Sequence, residues 1–119
     1  MKLFGIPNCD TVKKARVWLT ENGFDYEWHD FKKQGLSAEQ VQQWIDAIGW
    51  EVLINKQGTT WRKLDETTKA SVVDADSAIA VMIANPSVIK RPVLVTKKQT
   101  QVGFKPDMYE TIMENTRLC

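Results

Sequence analysis

Cys9 is the residue of this sequence best placed for covalent chemistry. It lies in the run Ile6-Pro7-Asn8-Cys9-Asp10-Thr11, after the apolar segment Leu3 to Ile6 and before a stretch in which Val12, Ala15 and Leu19 recur at helical spacing. That places the thiol where a strand gives way to the start of a helix. A helix N-terminus offers unpaired N–H groups and the positive end of the macrodipole. Both favour a thiolate, so a cysteine there becomes nucleophilic near neutral pH. The competing reading is a buried cysteine behaving as a small hydrophobe. Its neighbours speak against that, because Pro7, Asn8, Asp10 and Thr11 are loop and cap residues.

Spacing narrows the chemistry. Val12 stands where a Cys-x-x-Cys enzyme carries its resolving thiol, and the other cysteine, Cys119, is the last residue. Chain ends fray, so a redox cycle at Cys9 is expected to borrow its second thiol from glutathione or another protein, with Cys119 reaching back as the alternative. A Cys-x5-Arg phosphatase loop is excluded, since position 15 is Ala15 and Arg16 is one residue out of register. Two cysteines and one histidine leave no zinc site of the usual Cys/His kind, and no metal ligands are assigned.

The elements that must hold Cys9 are readable. Leu3 to Ile6 suits a buried strand, the helix from Val12 ends at Asn22-Gly23, and Phe24, Tyr26 and Trp28 alternate as a second strand. In Leu36-Ser37-Ala38-Glu39-Gln40-Val41, Ser37 and Gln40 form a capping box. Val41, Trp44, Ile45 and Ile48 continue as a half-buried helix that Gly49 stops. Short helical pieces are expected around Val52-Leu53-Ile54 and Trp61-Leu64. Asp76 is read as the cap of a helix carrying Ile79, Met82 and Ile83 and ending at Asn85-Pro86. Pro92 to Thr96 is a strand, Lys97-Lys98-Gln99 a turn, and Val102 and Phe104 lie on a return strand. Pro106 opens a last helix whose Tyr109, Ile112 and Met113 face the core. The five tryptophans read mostly as packing.

This order, β-α-β, then helices, then β-β-α, is an α/β thioredoxin-like arrangement. It predicts a four-stranded mixed sheet with flanking helices, its last two strands antiparallel. The expectation is a single domain over residues 1–119 with a helical insertion at about 36–86. In such a fold a cis-proline before the third strand lies against the reactive cysteine, and Arg91-Pro92 sits at that place. A guanidinium there would lower the thiol pKa and grip an anion. The alternative is a solvent-facing arginine before a trans-proline. Composition agrees with one globular domain: 119 residues, 43% hydrophobic, 26% charged, formal net charge +1. Near-zero charge and scattered lysines speak against a direct nucleic-acid binder. The absence of a long apolar run or secretory signal leads to an expectation of a cytoplasmic protein without a membrane partner.

Two segments carry a family resemblance: Ile6-Pro7-Asn8-Cys9-Asp10-Thr11-Val12-Lys13-Lys14-Ala15 and Ile89-Lys90-Arg91-Pro92-Val93-Leu94-Val95. With the helical stretch between them, they resemble the arsenate reductase-like ArsC/Spx family, and within it the YffB-like branch, over nearly the whole chain. The resemblance implies Cys9 as nucleophile and Pro92 in cis. Glutathione-coupled arsenate reductases surround the cysteine with three arginines. The matching positions here are Asn55, Arg91 and Lys105, so one of three is Arg. Lys105 keeps the charge without the planar fork, Asn55 keeps neither, and Arg62 is a further cation in the insert. Spx-like regulators use the same fold to bind RNA polymerase, and Gly49 resembles a glycine near their contact surface. As a helix stop it also has a plain structural role.

The resemblance therefore implies a glutathione-dependent monothiol reductase. Cys9 is the nucleophile, and Arg91 holds the thiolate and an anionic part of the ligand. Asn8 and Thr11, with the backbone N–H groups at the start of the first helix, orient the sulfur, Pro92 lines the site, Lys105 adds positive potential, and Asp10 points away toward the helix N-terminus. Glutathione serves as co-substrate, with no tightly bound cofactor, and glutaredoxin is a candidate partner. The alternatives are an Spx-like regulator bound to the RNA polymerase α subunit, and a true arsenate reductase.

Overall fold

The structure is a computed structural model that describes residues 1–117 of the chain. Cys119 lies outside the described residues. Two compact units are present: residues 1–33 with the segment from Arg91 onward, and Gln34–Lys90.

The first unit contains β1 (Lys2–Gly5), α1 (Asp10–Glu21), β2 (Glu27–Asp30), β3 (Val93–Val95), β4 (Thr100–Val102) and α8 (Pro106–Arg117). Its four-stranded sheet has the order β2-β1-β3-β4. β1 runs parallel to β2, and β3 antiparallel to both β1 and β4. This is the mixed sheet expected from the element order. The central register places Leu3 beside Trp28 on one side and Leu94 on the other. Because strand side chains alternate between faces, Leu3 and Leu94 share one face. There they join Ala15 and Leu19 of α1 and Tyr109, Ile112 and Met113 of α8 in one buried cluster. The helical spacing of 15 and 19, and of 109, 112 and 113, is what turns both helices onto the sheet.

Two strand readings need correction. The alternation at Phe24, Tyr26 and Trp28 suggested a strand there, yet β2 begins at Glu27. Phe24 and Tyr26 instead pack against the core cluster from the approach to β2. Phe24 stacks on Trp18 with ring centroids 5.9 Å apart. Likewise Phe104 is not on the return strand. β4 stops at Val102, Gly103 takes φ +79°, and Phe104 turns edge-on to Tyr109 at 4.7 Å. Only a residue without Cβ adopts that φ cheaply, and the bend is what carries the chain from β4 into α8.

Gly5 has a different reason to be glycine. A Cβ there would stand 2.9 Å from Val12 Cγ2 and 3.2 Å from its Cγ1. Val12 is fully buried in the first turn of α1, where a β-branched side chain has little rotamer freedom. Gly5→Ala should therefore push α1 off the sheet and cost about 1–3 kcal/mol of overpacking. A melting temperature equal to wild type would show that the helix is not seated this closely.

Tyr109 is completely buried and its hydroxyl has no hydrogen-bond partner among the described residues. The ring meets Phe104 and Trp18 edge-on. Tyr109→Phe keeps those contacts and removes an unsatisfied polar atom, so stability should stay level or rise by about 1 kcal/mol. Burial also pushes the phenol pKa up. The folded protein then holds the phenol neutral where the unfolded chain ionises it, above about pH 10. That contribution is intact below pH 10 and drains as pH rises further. Urea midpoints for Tyr109→Phe should accordingly fall less steeply above pH 10 than those of wild type.

α2 (Phe31–Gln34) comes directly after β2, with the N–H groups of Lys32 and Lys33 donating to Asp30 Oδ1. The second unit holds α3 (Ala38–Ile48), α4 (Trp50–Leu53), α5 (Thr59–Lys63), α6 (Glu66–Ser71) and α7 (Ala75–Ala84), then a 3-10 turn at Pro86–Val88. Ser37 Oγ caps α3 by accepting the Gln40 N–H at 3.1 Å. The reciprocal capping box forms elsewhere, between Asp74 and Ser77 at the start of α7. Asp76 is thus a first-turn residue and not the cap. Gly49 ends α3 with φ +88°. An antiparallel bridge between Ile54 and Ile89 closes this unit, flanked by Asn55 N–H to Val88 O and Lys90 N–H to Leu53 O, both 2.8 Å. This bridge fixes the strand-like path of the chain up to Lys90.

Candidate active site

The site forms around the junction of β1 and α1. Cys9 is the N-cap residue of α1, with extended backbone angles of φ −94° and ψ 124°. Its carbonyl accepts the Lys13 N–H at 3.0 Å, so the helix begins on it. Its side chain closes no cap hydrogen bond of full geometry. Cys9 is half-buried. Partial burial pushes the thiol pKa up. The Val12 N–H, the Arg91 guanidinium by hydrogen bond and by charge, and the Thr11 N–H pull it down, and together they prevail. The thiol is therefore more acidic than an ordinary cysteine, for the reasons a helix N-terminus and an adjacent cation supply.

Arg91 is held at the sulfur by the corner it belongs to. The Arg91–Pro92 peptide is cis, and Pro92 is buried at the entrance to β3. The Pro92 carbonyl accepts the Gly103 N–H at 2.9 Å, tying this corner to the end of β4. Arg91 itself is half-buried. Of the two readings open from sequence, the structure has the arginine beside the thiol.

The other sequence candidates separate. Thr11 acts on the sulfur through its backbone N–H. Asn8 stands exposed in the turn before Cys9, and Asp10 is the exposed first residue of α1, in the acidic position the macrodipole favours. Lys105 is exposed just before α8 and is not one of the groups that shift the thiol. Asn55 and Arg62 belong to the inserted unit. There Asn55 Oδ1 accepts the Gln57 N–H, and the Arg62 carbonyl accepts the Lys69 ammonium. The amide of Val12 is one of the N–H groups at the start of α1 that were expected to act on the sulfur. Val12 thus has two parts: its side chain opens the buried row of α1, and its N–H, three residues after the N-cap, is placed as a donor to the capping atom.

Among the described residues no cluster of three or more His, Cys, Asp or Glu is placed to hold a metal ion. No helix among them is long and apolar enough to cross a membrane.

The family model described as the ArsC family matches residues 4–112, a span that contains Cys9, Arg91, Pro92 and Lys105. The chain belongs to the ArsC family. A solved structure named YffB is similar to it at 49% identity and a TM-score of 0.88, covering 92% of this chain and 96% of that one. An uncharacterised protein of Haemophilus influenzae is 41% identical over 108 residues, 91% of this chain and 94% of its own. The global transcriptional regulator Spx of Streptococcus pyogenes is 31% identical over 108 residues, covering 88% of this chain and 78% of Spx. This ArsC-family chain is thus arsenate reductase-like in fold and sequence, with relatives that act in transcription.

Proposed function

We propose that this ArsC-family protein is a glutathione-dependent monothiol reductase of mixed disulfides. The observation that carries the reading is the acidified Cys9 thiol, held by Arg91 and the α1 amides without a cysteine at position 12. In the first step the Cys9 thiolate attacks the glutathione sulfur of a mixed disulfide. The S–S bond breaks, Cys9 becomes glutathionylated, and the released substrate thiolate takes a proton from solvent. A glutathione thiolate then attacks the Cys9–glutathione disulfide. Glutathione disulfide leaves and the Cys9 thiolate is restored. The net reaction reduces one mixed disulfide and oxidises one further glutathione, so the electron pair comes from glutathione and no second protein thiol is needed. Arg91 stabilises the thiolate in both its attacking and its leaving roles. Glutaredoxin is a candidate partner for the second step.

The test is reduction of the mixed disulfide of glutathione and 2-mercaptoethanol in the presence of glutathione. Wild type turns it over and Cys9→Ser does not. Equal rates with both proteins would reject the reading. A second reading rests on the Spx relatives. On that reading the same fold binds the RNA polymerase α subunit, and capture of purified α subunit that survives Cys9→Ser would favour it.

A further inference from the structure

A shallow groove of about 430 Å³ lies along α1, its lining starting at Lys13, one helical turn after Cys9. Its floor is Val17 and Trp18 of α1, faced by Phe104 and Pro106 from the turn into α8. Val17 is 53% exposed, a large aliphatic surface to leave in water on a helix whose other apolar residues turn inward. The end nearest Cys9 carries Lys13 and Lys14, and the far end carries Glu21. The ion pairs found among the described residues are Lys2–Glu27 and Lys69–Glu66, so these three charges lie outside both.

The spacing defines the occupant. Lys13, Val17 and Glu21 come after Cys9 at successive intervals of four, on one inclined row of the helix surface. At 1.5 Å per residue they lie about 6, 12 and 18 Å beyond it along the axis. An extended polypeptide advances about 3.3 Å per residue. A chain whose cysteine sits over Cys9 would thus meet the lysines two residues on, Val17 and Trp18 about four on, and Glu21 five or six on. A compact ligand cannot satisfy cation, apolar floor and anion in that order over such a length.

We propose that this groove docks an extended polypeptide substrate bearing an acidic residue two positions, and an apolar residue four positions, from its disulfide-bonded cysteine. The proposal rests on the reductase reading above and adds that the substrate is a protein segment of defined charge order. Apolar burial on Val17 and Trp18 supplies affinity, and the charges set register and exclude reversed patterns.

The experiment compares two glutathione mixed disulfides: that of the synthetic peptide Cys-Gly-Asp-Gly-Phe-Gly-Lys, and that of 2-mercaptoethanol. A control peptide has Asp replaced by Lys and Phe by Ser. Wild type should show a KM about tenfold lower for the first peptide than for the control, the factor a single well-placed contact gives. Val17→Asp, at an exposed position, should abolish that difference while leaving the rate on the 2-mercaptoethanol disulfide unchanged. Lys13→Glu with Lys14→Glu should shrink the preference, because the acidic residue of the first peptide then meets like charge. Equal KM values for the two peptides with wild type, or a Val17→Asp defect of the same size on both disulfides, would overturn the docking proposal. If wild type reduces neither disulfide, the reductase reading fails and direct binding decides the groove. Cys9→Ser protein is then titrated with the same peptides, their Cys changed to Ser, and monitored by Val17 methyl and Trp18 indole NMR shifts. Saturable shifts with the first peptide alone uphold the groove. No shifts, shifts with both peptides alike, or concentration-dependent shifts without peptide that reveal a second copy there, reject it.

Discussion

Arg91→Ala should slow alkylation of Cys9 at pH 7 by about tenfold, since an opposite charge at contact distance changes thiolate population by at least that factor. Arg91 acts on the sulfur twice, by hydrogen bond and by charge, while burial works in the opposite direction. Removing the guanidinium leaves burial opposed only by the Val12 and Thr11 amides. The pH at which reactivity is half-maximal should therefore move up, toward or past the free-thiol value of roughly 8.5. Arg91→Lys restores charge without the planar fork and should fall between the two. The measurement is the iodoacetamide rate from pH 5 to 9, with Lys98→Ala in the exposed β3–β4 turn as a control. Superimposable profiles for wild type and Arg91→Ala would mean that the arginine does not govern the thiol, and the mechanism built on it would fall.

Leu94→Ala should cost about 2–5 kcal/mol, as large-to-small changes in a close-packed core do. Leu94 has no exposed surface and lies beside Leu3 in the cluster that joins both helices to the sheet. A loss of that size is a large share of the roughly 5–15 kcal/mol that holds a domain together. Urea unfolding reads it directly. Val52→Ala at a 45% exposed position gives the baseline, expected within about 0.5 kcal/mol of wild type. If Leu94→Ala matched that baseline, the sheet and helices would not be held together through this contact. Because β3 begins two residues after Arg91, the variant should also weaken Cys9 reactivity before it unfolds the protein.

The parts of this architecture that were legible in the sequence are those set by strong local signals. Cys9 could be placed at a helix start because Pro7-Asn8 interrupts one apolar run and Val12, Ala15 and Leu19 open another. Arg91 could be paired with it once the order of elements implied the sheet. The parts that were misread are those where tertiary packing overrides pattern. Phe24 and Tyr26 alternate like strand residues, but they serve the α1–α8 core and the hydrogen-bonded ladder starts only at Glu27. Asp76 precedes an apolar run as a cap should. Asp74 takes the role because Ser77 stands three residues after it and answers with its own hydroxyl. Short elements such as α2 and α6 carry too few residues for periodicity to show.

A serine at the head of α1 would accept from the waiting amides at every pH. Cysteine does so only as an anion. The start of α1 is therefore expected to tighten when Cys9 loses its proton and to loosen when Cys9 is protonated or alkylated. A thiol more acidic in the folded chain than in the unfolded one adds stability above the unfolded thiol's pKa, and that contribution disappears as pH falls through the folded value. Fraying of the first turn of α1 should track the same titration. Amide hydrogen exchange at Thr11 and Val12, corrected for intrinsic rates, should speed up on acidification and on alkylation of Cys9. The donors that stabilise the Cys9 thiolate are the first-turn amides of α1, so the charge of the sulfur and the order of the helix end are expected to rise and fall together.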